Sequence, residues 1–159
     1  MSIFSKSAMV VEDDPSFRAV AEMMLRRMSF KTVVAAEDGE LAWAHLNLVR
    51  FDFILSDWNM EPMDGLELLR LIRANPPLSK IPVVLMSADL SLASWRVAID
   101  AGATDFLLKP FTSRQLHETV EIAFGASSSD EANVIKFSEH RNDRMPGRHR
   151  SPPDRSPPG

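Results

Sequence analysis

Short apolar runs and longer amphipathic stretches alternate along the first 125 residues. Residues 8–11 read as a strand that stops at Glu12, Asp13 and Asp14. Behind it, Phe17, Val20, Ala21, Met24, Leu25 and Met28 recur every three or four positions, one face of an amphipathic helix. Asp14 suits the N-cap of that helix and Pro15 its first position. The same alternation predicts a strand at 32–36 and a less clearly patterned helix at 39–49. It continues with a strand at 51–57 and a helix at 65–74, stopped by Asn75-Pro76-Pro77. A strand at 82–86 precedes a helix at 91–101 with Gly102 as its C-terminal cap. A short strand at 106–108 then leads into a last helix capped by Thr112, on which Leu116, Val120, Ala123 and Phe124 share a face.

Five strand-then-helix units in strict alternation predict an α/β fold with a parallel five-stranded sheet covered on both faces. In such folds, sites form outside the carboxyl ends of the strands. That rim collects Asp13 and Asp14 after the first strand, Asp57 at the end of the third, Ser87 after the fourth and Lys109 after the fifth. Taken singly, each has an ordinary explanation: Asp14 as a helix cap, Ser87 as a turn residue, Lys109 as a surface cation whose stem lies along apolar surface. Independent capping roles do not require all of them to fall at one edge of one sheet.

Composition narrows the chemistry. At 159 residues, 45% apolar and 25% charged, the chain has room for one domain with its own core. It contains no cysteine, which excludes disulfides, thiolate nucleophiles and Cys-ligated metals. No apolar run approaches the roughly 18–20 residues that span a bilayer, so the expectation is a soluble cytoplasmic protein without membrane insertion. Residues 1–125 carry a net charge of −5, which argues against nucleic acid as a direct partner. Residues 126–159 carry +1 and hold five of the eleven prolines in their last 14 positions, the composition of a flexible Pro/Ser/charged tail. Within that tail, Val134-Ile135-Lys136-Phe137 is apolar enough to dock.

Three carboxylates close together repel one another, an arrangement tolerated when a cation sits among them. Hard oxygen donors without cysteine or clustered histidine favour Mg²⁺ or Mn²⁺. Such an ion, held by Asp14, Asp57 and a backbone carbonyl near Asn59, would also hold phosphate oxygens. Lys109 would add a positive charge and Ser87 a hydroxyl donor. The expected site takes a phosphoryl group, with Asp57 as the nucleophile.

These residues resemble a known family. Val10-Val11-Glu12-Asp13-Asp14, Ser56-Asp57-Trp58-Asn59-Met60, Met63-Asp64-Gly65-Leu66-Glu67-Leu68-Leu69, Ser87-Ala88, Ala101-Gly102-Ala103 and Lys109-Pro110-Phe111 stand in order and at family spacing. Over residues 6–125 the chain resembles the receiver domain of bacterial two-component response regulators, especially the single-domain chemotaxis regulators of the CheY type. The resemblance implies a doubly wound (βα)5 flavodoxin-like fold with strand order 2-1-3-4-5. It implies a receiver domain over 1–125 that is a signalling phosphoacceptor and not an enzyme, acting in chemotaxis or another phosphorelay. Asp57 is then the phospho-acceptor, served by a sensor histidine kinase or a phosphotransfer protein. Asp14, Asp57 and the Asn59 carbonyl are implied as Mg²⁺ ligands, with Asp13 as an outer-shell acid. Ser87 matches the switch hydroxyl, Phe106 the coupled aromatic switch and Lys109 the lysine that contacts the phosphoryl group. The bond between Lys109 and Pro110 is implied to be cis, and the output partner to bind the face made by helix 4, strand 5 and helix 5.

Two positions depart from the family pattern. Met60-Glu61-Pro62-Met63 carries its proline one place later than usual, and Phe106 lacks the hydroxyl of the more common tyrosine. Three other readings compete. A phosphorylation-independent adaptor on the same fold would not need the acids, Ser87 and Lys109. A Mg²⁺-dependent aspartate-nucleophile phosphatase of the haloacid dehalogenase class wants a second aspartate where Asn59 stands. A flavodoxin-like nucleotide binder wants a Gly-rich or hydroxyl-rich first loop in place of Glu12-Asp13-Asp14-Pro15. No winged-helix or helix-turn-helix pattern follows residue 125, so direct transcriptional output is not expected.

Overall fold

The computed structural model describes residues 3–89 and 91–125. The expected tail and its Val134-Ile135-Lys136-Phe137 patch lie outside the described residues. Strands and helices alternate as β1 (Ser7–Val11), α1 (Pro15–Arg27), β2 (Thr32–Ala36), α2 (Gly39–Leu46), β3 (Phe53–Asp57) and α3 (Gly65–Ala74). They continue as β4 (Val83–Ser87), α4 (Leu92–Asp100), β5 (Asp105–Leu108) and α5 (Ser113–Gly125). All strand pairs are parallel, in the order β2-β1-β3-β4-β5, so the expected flavodoxin-like topology is the observed one.

Alternation along each strand splits the core in two. Met9, Val11, Ile54, Leu85 and Phe106 point to one face, where Ala42 and Leu46 of α2, Leu68, Leu69 and Ile72 of α3, and Trp95 and Ala98 of α4 cover them. Ala8, Val10, Phe53, Leu55, Val84, Met86 and Leu107 point to the other, beneath Ala21 and Leu25 of α1 and Leu116, Val120 and Ala123 of α5. Each fully buried Leu, Ile or Phe contributes about 1.5–3 kcal/mol. A strand slipped by one residue would exchange the two sets against helices shaped for the other, so register is tightly specified.

Register in turn aligns the strand ends. Val11 pairs with Ser56, Asp57 with Met86 and Ser87 with Leu108, so the residues after β1, β3, β4 and β5 emerge at one rim. Boundaries differ slightly from expectation. α2 stops at Leu46 because Asn47 donates its side-chain amide to the Trp43 carbonyl, and the amides of Leu48 and Val49 both turn back to His45. Phe51 and Pro82 lie just before their strands.

The start of α3 is set against the end of β3. Asp64 caps α3 in a reciprocal capping box with Glu67. The Gly65 amide donates to the Trp58 carbonyl at 2.9 Å. A Cβ on Gly65 would collide with the Asp57 carbonyl oxygen, so only glycine lets the helix approach the backbone that carries Asp57. At the far end of α3, Arg73 donates to the carbonyls of Ser79, Ile81 and Gly102, tying the loops around β4 together. Gly65→Ala is therefore expected to destabilise the fold by about 1–3 kcal/mol, seen as a lower melting temperature. A variant melting with the wild type would contradict this packing.

Candidate functional site

The third strand delivers Asp57 to the rim as its last residue, 5% exposed. The next amide, of Trp58, donates to the Met86 carbonyl at 2.9 Å, and the Ser56 hydroxyl donates to the Asp57 carbonyl at 3.0 Å. The carboxyl end of β3 is thus pinned independently of the Asp57 carboxylate. Lys109 follows β5, and its amide donates to the Ser87 carbonyl at 2.8 Å. The bond from Lys109 to Pro110 is cis, as the resemblance implied, and the bond from Glu61 to Pro62 is cis as well.

From this position the Lys109 ammonium reaches back across the sheet. Its Nζ lies 2.6 Å from Glu12 Oε2 and 3.1 Å from Asp57 Oδ1, with Glu12 99% removed from solvent. The other Glu12 oxygen accepts the Asp14 amide at 3.2 Å, and the Glu12 carbonyl accepts from Arg18 Nη1 at 2.9 Å. Glu12, Asp13 and Asp57 each offer an oxygen, and the three lie within 4.8 Å of one another.

One expected ligand is not in this group. The Asp14 side chain accepts the Ser16 amide at 3.1 Å and caps α1. Asp14 precedes Pro15, whose ring opens the helix, so its carboxylate is committed to the helix end. Among the described residues, the acids that cluster with Asp57 are Glu12 and Asp13. Glu12 was the residue that sequence reasoning passed over. The available signal was its place: the first residue past β1 is closest to the rim, while the residue before a helix-opening proline is a cap.

The remaining expected residues are placed as follows. Ser87 ends β4, 4% exposed, with its hydroxyl accepting the Asp89 amide at 3.1 Å. Asn59 is exposed in the loop two residues past Asp57. Phe106 is fully buried between Trp58, 5.6 Å away and edge-on, and Trp95 of α4, 6.2 Å away. The aromatic contact thus runs from the residue beside Asp57 to α4.

Electrostatics follow from burial around one cation. Burial pushes the Glu12 carboxyl above its ordinary value; the Lys109 hydrogen bond opposes this and the Asp57 charge adds to it. Burial likewise raises Asp57, against the pull of Lys109 and with a further push from Asp13. For Lys109 burial acts downward, but the hydrogen bonds and charges of Glu12 and Asp57 outweigh it and its pKa is raised. One ammonium among three carboxylates leaves the cluster short of positive charge. An all-oxygen donor set of this kind fits a hard divalent ion, Mg²⁺ or Mn²⁺.

This strain has a measurable sign. Because the folded pKa of Asp57 lies above its ordinary 3.8, the folded state holds the proton more readily than the unfolded chain. That stabilisation is complete below the unfolded value and is lost as pH rises through the folded one. In metal-free buffer at pH 7, Asp57→Asn is expected to melt above the wild type. The gap should close on acidification as Asp57 takes up its proton. A variant that melts lower at pH 7, or a gap independent of pH, would contradict the assigned direction.

Comparison with known proteins agrees with this geometry. Residues 8–121 match the family described as the response regulator receiver domain. The chain is 34% identical over 116 residues to the chemotaxis protein CheY of Pseudomonas aeruginosa, covering 73% of this chain and 94% of that one. It is equally identical over the same length to chemotaxis protein CheY-3 of Vibrio cholerae, covering 89% of that protein. Among solved structures, the chemotaxis response regulator CheY4 of Vibrio cholerae superposes with a TM-score of 0.71 at 28% identity, over 75% of this chain and 98% of that one. The receiver domain of sensor histidine kinase PA1611 from Pseudomonas aeruginosa, solved with a magnesium ion coordinated in its active site cleft, gives 0.70 at 29% identity, over 77% and 99%. No helix among the described residues is long and apolar enough to cross a membrane. By its matched family, its sheet order and its rim residues, the chain belongs to the response regulator receiver domains.

Proposed function

We propose that residues 1–125 act as a cytoplasmic phosphoacceptor unit, with 126–159 as an appended tail, and that Asp57 receives the phosphoryl group. The observation that carries this reading is Asp57 Oδ1 held 3.1 Å from the Lys109 ammonium within a group of three rim carboxylates. The donor is a phosphohistidine on a sensor histidine kinase or phosphotransfer protein. A carboxylate oxygen of Asp57 attacks phosphorus, the phosphorus–nitrogen bond of the protonated phosphoimidazole breaks with its electron pair returning to that nitrogen to release neutral imidazole, and an acyl phosphate remains. Lys109 offsets the charge that gathers on the phosphoryl oxygens. Asp13, Asp57 and the Asn59 carbonyl are the groups to hold Mg²⁺, with Mn²⁺ as a substitute of the same oxygen preference. A bound ion would supply positive charge that offsets the charge developing during transfer. Glu12, occupied by Lys109, serves as the outer acid. Water later removes the phosphoryl group, so the only turnover is of the protein's own modification.

Phosphorylation adds nearly two negative charges and three acceptor oxygens. The Ser87 hydroxyl, accepting from Asp89 in this structure, would turn to donate to a phosphoryl oxygen. Phe106, packed between Trp58 and Trp95, would relay that change to α4. The output partner is a protein bound on the face of α4, β5 and α5. The CheY relatives support a chemotaxis role, with another phosphorelay as the alternative, and the acidic net charge disfavours nucleic acid.

The test is intact mass after incubation with Mg²⁺ and a small-molecule phosphodonor. A single acid-labile phosphoryl adduct is expected, absent without divalent ion and absent in Asp57→Asn. Asp13→Asn should weaken the Mg²⁺ dependence at least about tenfold, whereas Asp14→Asn, which can still cap α1, should stay within about twofold. A folded wild type that takes no adduct would replace this reading with the phosphorylation-independent adaptor.

A further inference from the structure

Phe17 has no part in the transfer scheme above, yet it touches the group on which that scheme depends. In α1 its ring lies beneath Lys109, with Nζ 4.4 Å from the ring centroid. The same ring meets Phe111 edge-on, centroids 5.4 Å apart and planes at 82°. Phe111 is buried and stands two residues after Lys109. The ring is therefore braced by the very loop that carries the lysine.

The ammonium thus has three partners: the Glu12 carboxylate, the Asp57 carboxylate and an aromatic face. Both carboxylates pull it toward the sheet, and a lysine stem has four rotatable carbons through which to leave. A ring face carries negative charge in its quadrupole and attracts a cation within about 6 Å. The Lys109 side chain is only 17% exposed, so water competes little for that attraction. Unlike a carboxylate, the ring holds the ammonium without adding a full negative charge to a cluster that already has too many.

We infer that Phe17 is a positioning residue for phosphoryl transfer, its ring face holding the Lys109 ammonium within reach of Asp57. This rests on the phosphoacceptor reading and adds to it a part for α1. The alternative is core packing alone, since Phe17 also borders the apolar layer beneath α1 and α5. The two differ in what they require. Packing asks for apolar volume, whereas the cation asks for electron density on the ring face.

Fluorination separates them, because it drains the ring face while nearly preserving its shape. The full-length chain is prepared with 3,5-difluoro- and 3,4,5-trifluorophenylalanine at position 17, and as Phe17→Leu. Phosphoryl uptake from a small-molecule donor with Mg²⁺ is followed by mass. Uptake is expected to slow in steps with fluorination, reaching about 3- to 10-fold for the trifluoro ring and for leucine, at closely similar melting temperatures. A second readout needs no phosphoryl chemistry: the Lys109 ε-methylene resonance, shifted upfield by the ring in the wild type and released in Phe17→Leu. A trifluoro chain that takes up phosphoryl at the wild-type rate would overturn the positioning role and leave packing. An ε-methylene at the free-lysine position in the wild type would overturn the contact itself. A wild type with the upfield shift but no adduct would sink the phosphoacceptor reading and, with it, the transfer role, while leaving the contact in place.

Discussion

A single half-buried ammonium beside a group of three carboxylates governs this molecule's rim. Lys109 reaches Glu12 at 2.6 Å and Asp57 at 3.1 Å, and Asp13 completes the group. Removing either carboxylate's partner would leave a charge stranded in low dielectric, a far larger loss than the pair contributes when intact. The cluster is a poor device for stability: burial above all raises the Glu12 and Asp57 pKa values, with neighbouring carboxylates adding to it, and its oxygen donors fit a hard divalent ion.

The rest of the fold holds the two ends of that contact at fixed separation. Parallel pairing brings Asp57 level with Met86, and Ser87 with Leu108. Backbone amides of Trp58 and Lys109 are each anchored on β4, at Met86 and Ser87. Gly65 lets α3 lie against the Asp57 carbonyl. Beside that frame, the Ser87 hydroxyl accepts the Asp89 amide and Phe106 packs between two tryptophans.

Much of this was legible in the sequence because the information is local. Apolar runs of strand length ending in charge, and the face made by Leu25, Met28 and their neighbours, require only periodicity. The rim residues followed from topology, since every parallel strand ends on the same side. What spacing alone could not resolve was competition between two local roles. Asp14 is an acid near the rim and also the residue before Pro15, and the cap won. Glu12 entered the cluster because it is nearer the strand end and is drawn inward by Lys109, 97 residues away in sequence. Phe17 looked like one more apolar position on α1; its second contact, to Lys109, depends on how α1 and the β5–α5 loop pack together. Pairings of that kind leave no trace in spacing.

The most direct test of the account is a crystal structure with Mg²⁺ and beryllium trifluoride, a stable mimic of the phosphoryl group. The mimic is expected on an Asp57 carboxylate oxygen, with Lys109 Nζ against a fluorine and the Ser87 hydroxyl turned toward it. The ion is expected on Asp13 and Asp57, with Asp14 still capping α1. A mimic bound elsewhere, or an ion held by Asp14 in place of Asp13, would contradict the account.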